Sequence, residues 1–225
     1  MPLTVTEALH ARISVREFLP TPVPESEVRA ILDVARFAPS GGNLQPWKVI
    51  AVAGAERAAV IDLAHRTLSE NPRGQESEYP IYPPNLWEPY RTRRYALGEA
   101  MYELLGIPRE DKFARLGQFA RNYEFFGAPV GLFFVIDRRM GHGQWAHLGM
   151  FMQSIALVSL ERGISSCMQE AWGALRPALG RHFELPEGEV VYCGMALGHA
   201  NPEATVNRLR SERVAVDEFA TFRGF

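Results

Sequence analysis

Apolar and polar positions along this chain follow two periods, and the switches between them mark out helices and strands. Val28, Ile31, Leu32 and Ala35 recur at i, i+3, i+4 and i+7, which is one apolar face of a helix. Pro24 suits the first turn of that helix, Glu25 and Glu27 complement its dipole, and Pro39 closes it. A shorter helix is predicted from Thr4 to Ala11, a strand from Trp47 to Ala53 and a helix from Glu56 to Leu68. Residues 92–105 and 110–125 predict two helices broken at Gly106 and Pro108. Pro129 to Asp137 is a continuous apolar run of strand length, as a buried strand requires. Gln144 to Arg162 predicts the longest helix, with Leu148, Phe151, Met152 and Ile155 as its core stripe and Gly163 as its terminator. Ile164 to Met168 predicts a strand, Ala174 to His182 a helix, and Glu189 to Leu197 a last strand ending at Gly198. Strands alternating with helices imply a layered α/β or α+β domain.

Two stretches break the pattern. Residues 69–91 carry turn and extended signals around Pro72, Gly74, Pro80, Pro83 and Pro84, together with Tyr79, Tyr82, Trp87 and Tyr90. A long irregular segment with this many aromatics is expected to bind or cover something. The tail from Asn207 to Phe225 is first basic, then apolar through Val214, Val216, Phe219, Phe222 and Phe225. It follows the last core strand, so it is expected either to pack on a second subunit or to fold back.

Composition narrows the classes. The 225 residues are 47% hydrophobic and 22% charged, which excludes a disordered chain, a collagen and a coiled coil. The formal charge of −2 gives no global attraction to nucleic acid, so any anion site is local. Cys167 and Cys193 have no metal spacing and no CxxC, and the six histidines have none either, so no metal is expected. Met1 to Arg12 lacks an apolar signal core, and the apolar stretch Leu148 to Leu160 is too short and too interrupted to span a membrane. A soluble cytoplasmic protein is the expectation. No GxGxxG after a strand, Walker loop, HExxH or GxSxG is present.

Four segments carry candidate chemistry. Arg12, Ser14 and Arg16 fall on one face of an extended stretch, where two guanidinium groups and a hydroxyl make an anion clamp; the alternative is a solvated turn. Pro39-Ser40-Gly41-Gly42-Asn43-Leu44-Gln45-Pro46-Trp47 offers uncharged donors and glycines that allow close backbone approach to a flat ligand, or is an ordinary helix-to-strand loop. Asn207-Arg208-Leu209-Arg210-Ser211-Glu212-Arg213 is a second basic cluster. Ser166-Cys167-Met168-Gln169-Glu170-Ala171-Trp172 follows a predicted strand; Cys167 reads first as a small buried hydrophobe.

Taken together, these segments resemble the nitroreductase family of flavin enzymes. The match runs from Arg12, Ser14 and Arg16 through Pro39-Ser40, Asn43 and Gln45-Pro46-Trp47 to Gly198, Asn207, Arg208 and Arg210. Tyr82-Pro83-Pro84-Asn85-Leu86, Glu88-Pro89-Tyr90-Arg91 and Arg93-Arg94 point to the nitrobenzoate-reductase-like branch. The resemblance implies an α+β fold: three α/β/α layers, with a mixed, mostly antiparallel sheet flanked by helices, in one domain over residues 1–225. Residues 69–125 would form a substrate-covering lid, and residues 207–225 would embrace the partner of an intertwined homodimer. It further implies FMN as cofactor and NAD(P)H as electron donor, with a nitroaromatic or similar electron-poor small molecule as acceptor. Arg12, Ile13, Ser14, Arg16, Arg208 and Arg210 would hold the phosphate and ribityl chain. Pro39, Ser40, Asn43 and Gln45 would lie near the isoalloxazine, Asn43 from the other subunit's side. Met168, Gln169, Glu170 and Ala171 would pass over the flavin, with the Glu170 backbone N–H at N5. Met168 stands where many members carry proline. Tyr82, Arg93 and Arg94 would meet the substrate. Other flavin reactions remain open on the same scaffold: enone reduction, reductive dehalogenation and flavin breakdown. So do flavin binding without turnover and binding of a phosphate-bearing metabolite alone. The Glu, Tyr and Lys trio that dehalogenases place in their lid has no match in the spacing of Glu99, Tyr102 and Lys112.

Overall fold

The computed structural model describes residues 3–75 and 78–225. Among them, four strands form one sheet: β1 (Lys48–Ala53), β2 (Val130–Asp137), β3 (Ser165–Gln169) and β4 (Glu189–Gly198), in the order β1-β2-β4-β3. All three pairings are antiparallel, and a parallel bridge between Ser14 and Ser166 brings the N-terminal segment to the edge of β3. β2 is the buried strand that its apolar run predicts: Val130 to Ile136 are all buried.

The sheet divides two cores. Leu132, Phe134 and Ile136 of β2, with Cys193, Met195 and Leu197 of β4, pack against Ile31 and Ala35 of α2 (Glu25–Ala35) and Leu148, Phe151 and Ile155 of α6 (His142–Glu161). Phe133 and Val135, with Val191 and Ala196, face Val60 and Ala64 of α3 (Gly54–Glu70) and Leu179 of α7 (Arg176–His182). Trp172 and Phe125 join that second core from the 3-10 segments Glu170–Leu175 and Arg121–Gly127. Alternation of side chains along each strand therefore produces the three α/β/α layers.

Most predicted elements form within a few residues of their expected ends. α1 (Val5–Ala11) opens with a capping box in which Thr4 and Glu7 satisfy each other's backbone. Pro24 stands at the N-cap of α2 rather than inside its first turn, and α2 ends at Ala35, ahead of Pro39. Residues 92–125 give α4 (Tyr90–Leu104) and α5 (Lys112–Ala120), and then a tight 3-10 segment instead of more helix. The reason lies in that segment. Phe125 and Phe126 adopt φ of 54° and 53°, a left-handed conformation that bulky residues avoid, and both rings are buried. Core packing offsets the strain. The predicted helix at Ala174 begins two residues later, at Arg176, because residues 170–175 stay in a 3-10 turn. The tail adds the short α8 (Val216–Phe219) and leaves Phe219, Phe222 and Phe225 exposed.

Trp172 is fully buried, with its ring 4.8 Å from Phe125, 5.0 Å from Phe133 and 5.3 Å from Tyr123. It sits directly on Gly194 of β4, where an added Cβ would fall 2.4 Å from the indole Cδ1. Gly194→Ala is therefore expected to destabilise the protein by about 1–3 kcal/mol through overpacking. Urea denaturation of the two proteins measures this, and equal midpoints would refute the close-contact argument.

Candidate functional site

A cavity of about 620 Å³ opens where β3, its following turn and β4 meet the segment 81–122. Cys167, Met168, Gln169, Glu170, Ala171, Tyr192 and Cys193 line it from the sheet, and Arg16 from the N-terminal segment. Ile81, Tyr82, Arg94, Met101, Tyr102, Gln118 and Phe119 line it from the predicted lid.

The N-terminal clamp is built on the edge of β3. Val15 donates its N–H to the Ser166 carbonyl at 3.1 Å, and Val15 is buried while Arg12, Ser14 and Arg16 stay half-buried. Ile13, next to them, packs against the core. Burial pushes the Cys167 thiol up to about 11, against the opposing pull of Arg16, the Ser14 hydroxyl and Arg12. Of the three predicted clamp residues only Arg16 lines the cavity; Ser14 and Arg12 act on the Cys167 thiol beside it.

Asn207 ties the second basic cluster to the first. It is buried; its Oδ1 accepts from Arg16 N–H at 2.9 Å, and its Nδ2 donates to the carbonyls of Glu17 at 2.8 Å and Asn201 at 3.0 Å. Arg210 caps the carbonyls of Asn207 and Leu209, both at 3.0 Å, and Arg208 is exposed beside it. Residues 190 positions apart in sequence are thereby joined, although Arg208 and Arg210 themselves do not line the cavity.

The strand that leads into the turn is paired to its last residue. Met168 pairs with Met195 and Gln169 with Gly194, so the β ladder holds both. Gln169 is buried and donates its side-chain amide to the Asn122 carbonyl at 2.7 Å; its buried Oε1 has no partner among the described residues. Glu170 projects into the cavity. Desolvation raises its carboxyl above the usual range, and a hydrogen bond from Tyr192 and the Arg176 cation pull it partly back. Desolvation also pushes Tyr192 up to about 12, and the Glu170 charge adds to the shift.

Tyr192 is in the cavity because of a β-bulge. Phe134 pairs with Cys193 but Val135 pairs with Val191, which leaves Tyr192 as the extra residue. Buried Arg176 holds the bulge from behind, with Nε 2.9 Å from the Val191 carbonyl and a terminal nitrogen 3.3 Å from that of Tyr192. Nothing in the sequence marks a bulge here, so the roles of Tyr192 and Arg176 are not legible in it. Gln118 and Asn122 are equally hidden, inside what reads as one helix.

The predicted lid is tied down near its start and braced within itself. Gln75 N–H donates to the Ala174 carbonyl at 2.8 Å, and its side chain accepts from Ala178 N–H at 2.8 Å. Arg115 grips Glu99 with two nitrogens, at 2.5 and 3.1 Å, and lies 4.2 Å over the Tyr102 ring, which clamps α5 to α4. The Arg94 guanidinium stacks 4.0 Å over Tyr82, and both line the cavity. Arg93 turns instead toward Glu218 of α8, at 3.8 Å, and contributes nothing to the lining. Trp87 and Tyr90 pack on each other and stay exposed.

The loop Pro39 to Gln45 lies outside this cavity. Gly41 to Gln45 are exposed, and Asn43 and Gln45 take φ of 54° and 48°. Gln45 N–H donates to Ser40 Oγ at 3.0 Å, Gln45 Nε2 to the Asn43 carbonyl at 3.2 Å, and Gly41 N–H to His147 at 3.4 Å. Trp47 stacks on Phe151 at 4.7 Å and fixes the loop to α6. A second concavity, of about 610 Å³, is lined by Arg138, Arg176, Arg181 and Glu184 among others. It holds none of the predicted residues, and its Arg138 is bound to Glu78 and to the carbonyls of Glu187 and Glu189.

The sequence profile described as "Nitroreductase family" matches residues 9–199. Over 218 residues the chain is 35% identical to a nitrobenzene nitroreductase of Ectopseudomonas oleovorans, with 97% of this chain and 96% of that protein covered. It is likewise 35% identical to a 4-nitrobenzoate reductase of Pseudomonas putida, covering 96% and 93%. The crystal structure of an FMN and NADPH-dependent nitroreductase NfnB from Sphigopyxis sp. strain HMH superposes with a TM-score of 0.96 at 43% identity, over 99% of this chain and 100% of that one.

Burial of both cysteines sets their reactivity. Cys167 and Cys193 are free thiols, both buried, and burial raises both. Because only the thiolate reacts readily, neither is expected to titrate with a thiol reagent in the native protein at pH 8, and both should do so in denaturant. Rapid native labelling of either would contradict the burial.

Proposed function

The chain belongs to the nitroreductase family, and from that premise we propose that it is an FMN-dependent oxidoreductase that passes electrons from NAD(P)H to nitroaromatic or similar electron-poor acceptors. One observation carries the reading. Residues 12–16 hydrogen-bond to Ser166 on one side and to Asn207 on the other, so three segments far apart in sequence meet at Arg16, which with residues 167–171 lines one cavity. They are the segments that the family motif places around a flavin phosphate and ring.

The residues present fit that cofactor. Four arginines and a serine lie on the two segments that Asn207 joins, and guanidinium groups bind phosphate in bidentate fashion. Arg12, Ser14, Arg16, Arg208 and Arg210 would hold the phosphate and ribityl chain, with Ile13 packing beneath. The buried Gln169 Oε1 lacks a partner among the described residues and is an acceptor ready for a ring N–H. FMN, when bound, supplies two-electron transfer between a nicotinamide and the acceptor. The chain contributes placement and electrostatics. The ladder from Met168 to Gln169 leads into the turn through Ala171, from which the Glu170 backbone N–H would meet the flavin edge. Each acceptor step takes two electrons and two protons: the nitro group gives a nitroso group and water, and the nitroso group gives a hydroxylamine. Tyr82 and Arg94 stand where they would receive the acceptor, and Arg94 would favour one with an anionic substituent. Arg93, paired with Glu218, is the weaker candidate of the two arginines.

The unit we propose is a homodimer. The Pro39–Gln45 loop is largely exposed and outside its own cavity, so Ser40, Asn43 and Gln45 would complete the site of a second copy. Exposed Phe219, Phe222 and Phe225 supply an apolar tail to embrace that copy. Cytoplasmic residence accords with this reading: NAD(P)H is plentiful there, both cysteines are free, and no helix among the described residues is long and apolar enough to cross a membrane.

The purified protein is expected to show a flavin spectrum that NADH or NADPH bleaches without oxygen and a nitroaromatic restores. A spectrum that stays oxidised would refute turnover. Arg16→Met should weaken FMN binding about 10- to 100-fold, the loss of one charged hydrogen-bonding partner. Asn207→Ala, which removes the side-chain bonds to Arg16, Glu17 and Asn201, should weaken it as well by releasing the second basic cluster. Both are read by fluorescence titration of the apoprotein with FMN. Light scattering should give twice the 25.2 kDa chain mass, and removal of residues 214–225 should shift it toward the monomer.

A further inference from the structure

Helix α5 inverts the usual order of burial. Its apolar side chains Phe113, Leu116 and Phe119 are 88%, 63% and 50% exposed, whereas Gln118, a polar residue, is 8% exposed and is the one buried residue of the helix. Gln118 lines the cavity, and its Nε2 has no hydrogen-bond partner among the described residues. A buried amide donor left unpaired is costly, and such groups in a native fold call for an explanation. A local conflict of this kind, a glutamine inside and phenylalanines outside, is where function overrides packing.

We propose that Gln118 is the specificity-determining donor for the electron acceptor, reading an oxygen on a flat aromatic substrate. Side-chain Nε2 has two N–H donors and no acceptor, so its partner must present a lone pair. Gln118 belongs to the lid side of the cavity, with Tyr82, Arg94, Met101 and Tyr102, and not to the clamp or to the turn after β3. Its position is fixed. Arg115 and Glu99 lock α5 to α4, and one turn beyond Gln118 the carbonyl of Asn122 is held by Gln169. The donor is thus held in place ahead of any ligand. A nitro or carbonyl oxygen would satisfy it, whereas an apolar group of the same shape would leave it buried and unpaired, which is how a polar site rejects an isostere. As electrons reach a nitro group, negative charge gathers on its oxygens, and a fixed donor there lowers the barrier as well as aiding binding.

The inference rests on the flavin reading of this cavity, and the test separates the two. FMN-loaded, oxidised protein without NAD(P)H is titrated with 4-acetylbenzyl alcohol and with 4-isopropylbenzyl alcohol, near-isosteres of which only the first carries a carbonyl oxygen. The perturbation of the flavin absorbance gives each dissociation constant. The acetyl compound is expected to bind about tenfold more tightly. In Gln118→Met the ratio should fall to near unity while FMN affinity is unchanged. With 4-nitrobenzyl alcohol as substrate, kcat should fall more than KM rises. Gln118→Glu keeps the size, replaces the donor with an acceptor and should lower the ratio further, which covers the case where the methionine variant fails to fold. Equal affinities in the unaltered protein, or an unchanged ratio in a folded variant, would overturn the proposal. So would a loss of FMN affinity in Gln118→Met, because the donor would then serve the cofactor. Failure of the flavin reading has a different signature: no FMN is retained by the unaltered protein.

Discussion

The seating of Trp172 on Gly194 is the contact on which the site depends. The indole fills the space that a side chain on β4 would take, and the rings of Tyr123, Phe125 and Phe133 close around it. That fixes the turn Glu170–Leu175 against the sheet without a single regular helix. Gly131 has the same role on the neighbouring strand β2, since a Cβ there would fall 2.3 Å from the Phe125 ring. The two glycines let aromatic rings approach the sheet closely, and this packing offsets the strained backbone of Phe125 and Phe126. The cavity's strand side is therefore set by close packing, which has few alternative arrangements.

From that fixed turn, polar contacts spread outward. Arg176 reaches back from the start of α7 to the carbonyls of Val191 and Tyr192 and stabilises the bulge. The bulge turns Tyr192 into the cavity beside Glu170. On the other side, Asn207 binds the N-terminal segment to the C-terminal one, so a single buried amide sets the spacing of two arginine clusters. Sulfur supplies much of the remaining wall: Met101, Met152, Cys167, Met168 and Cys193 all line the cavity. Such a surface is polarisable and adaptable, well suited to flat aromatic ligands of varied substitution. Selectivity then falls to the few fixed polar groups among them.

Element types and the two-sided burial of β2 are legible in the amino-acid order. The physical reason is locality: hydrophobic period, caps and proline positions act within one turn or one strand, and short motifs keep their residues on one extended stretch. The pairing of distant motifs is legible too, through their combined resemblance to one family. Which of these residues share a cavity is settled only by the folded chain. Arg94 faces it while Arg93 next to it pairs with Glu218, since neighbouring helical positions point about a quarter-turn apart. Ser40, Asn43 and Gln45 do not line it, and Trp47 pins their loop to α6 instead. Tyr192 enters through a bulge, a one-residue slip in pairing that no local pattern records. Gln118 is buried on a helix that is braced on α4 by an ion pair between residues 16 positions apart, a contact that no periodicity within α5 contains.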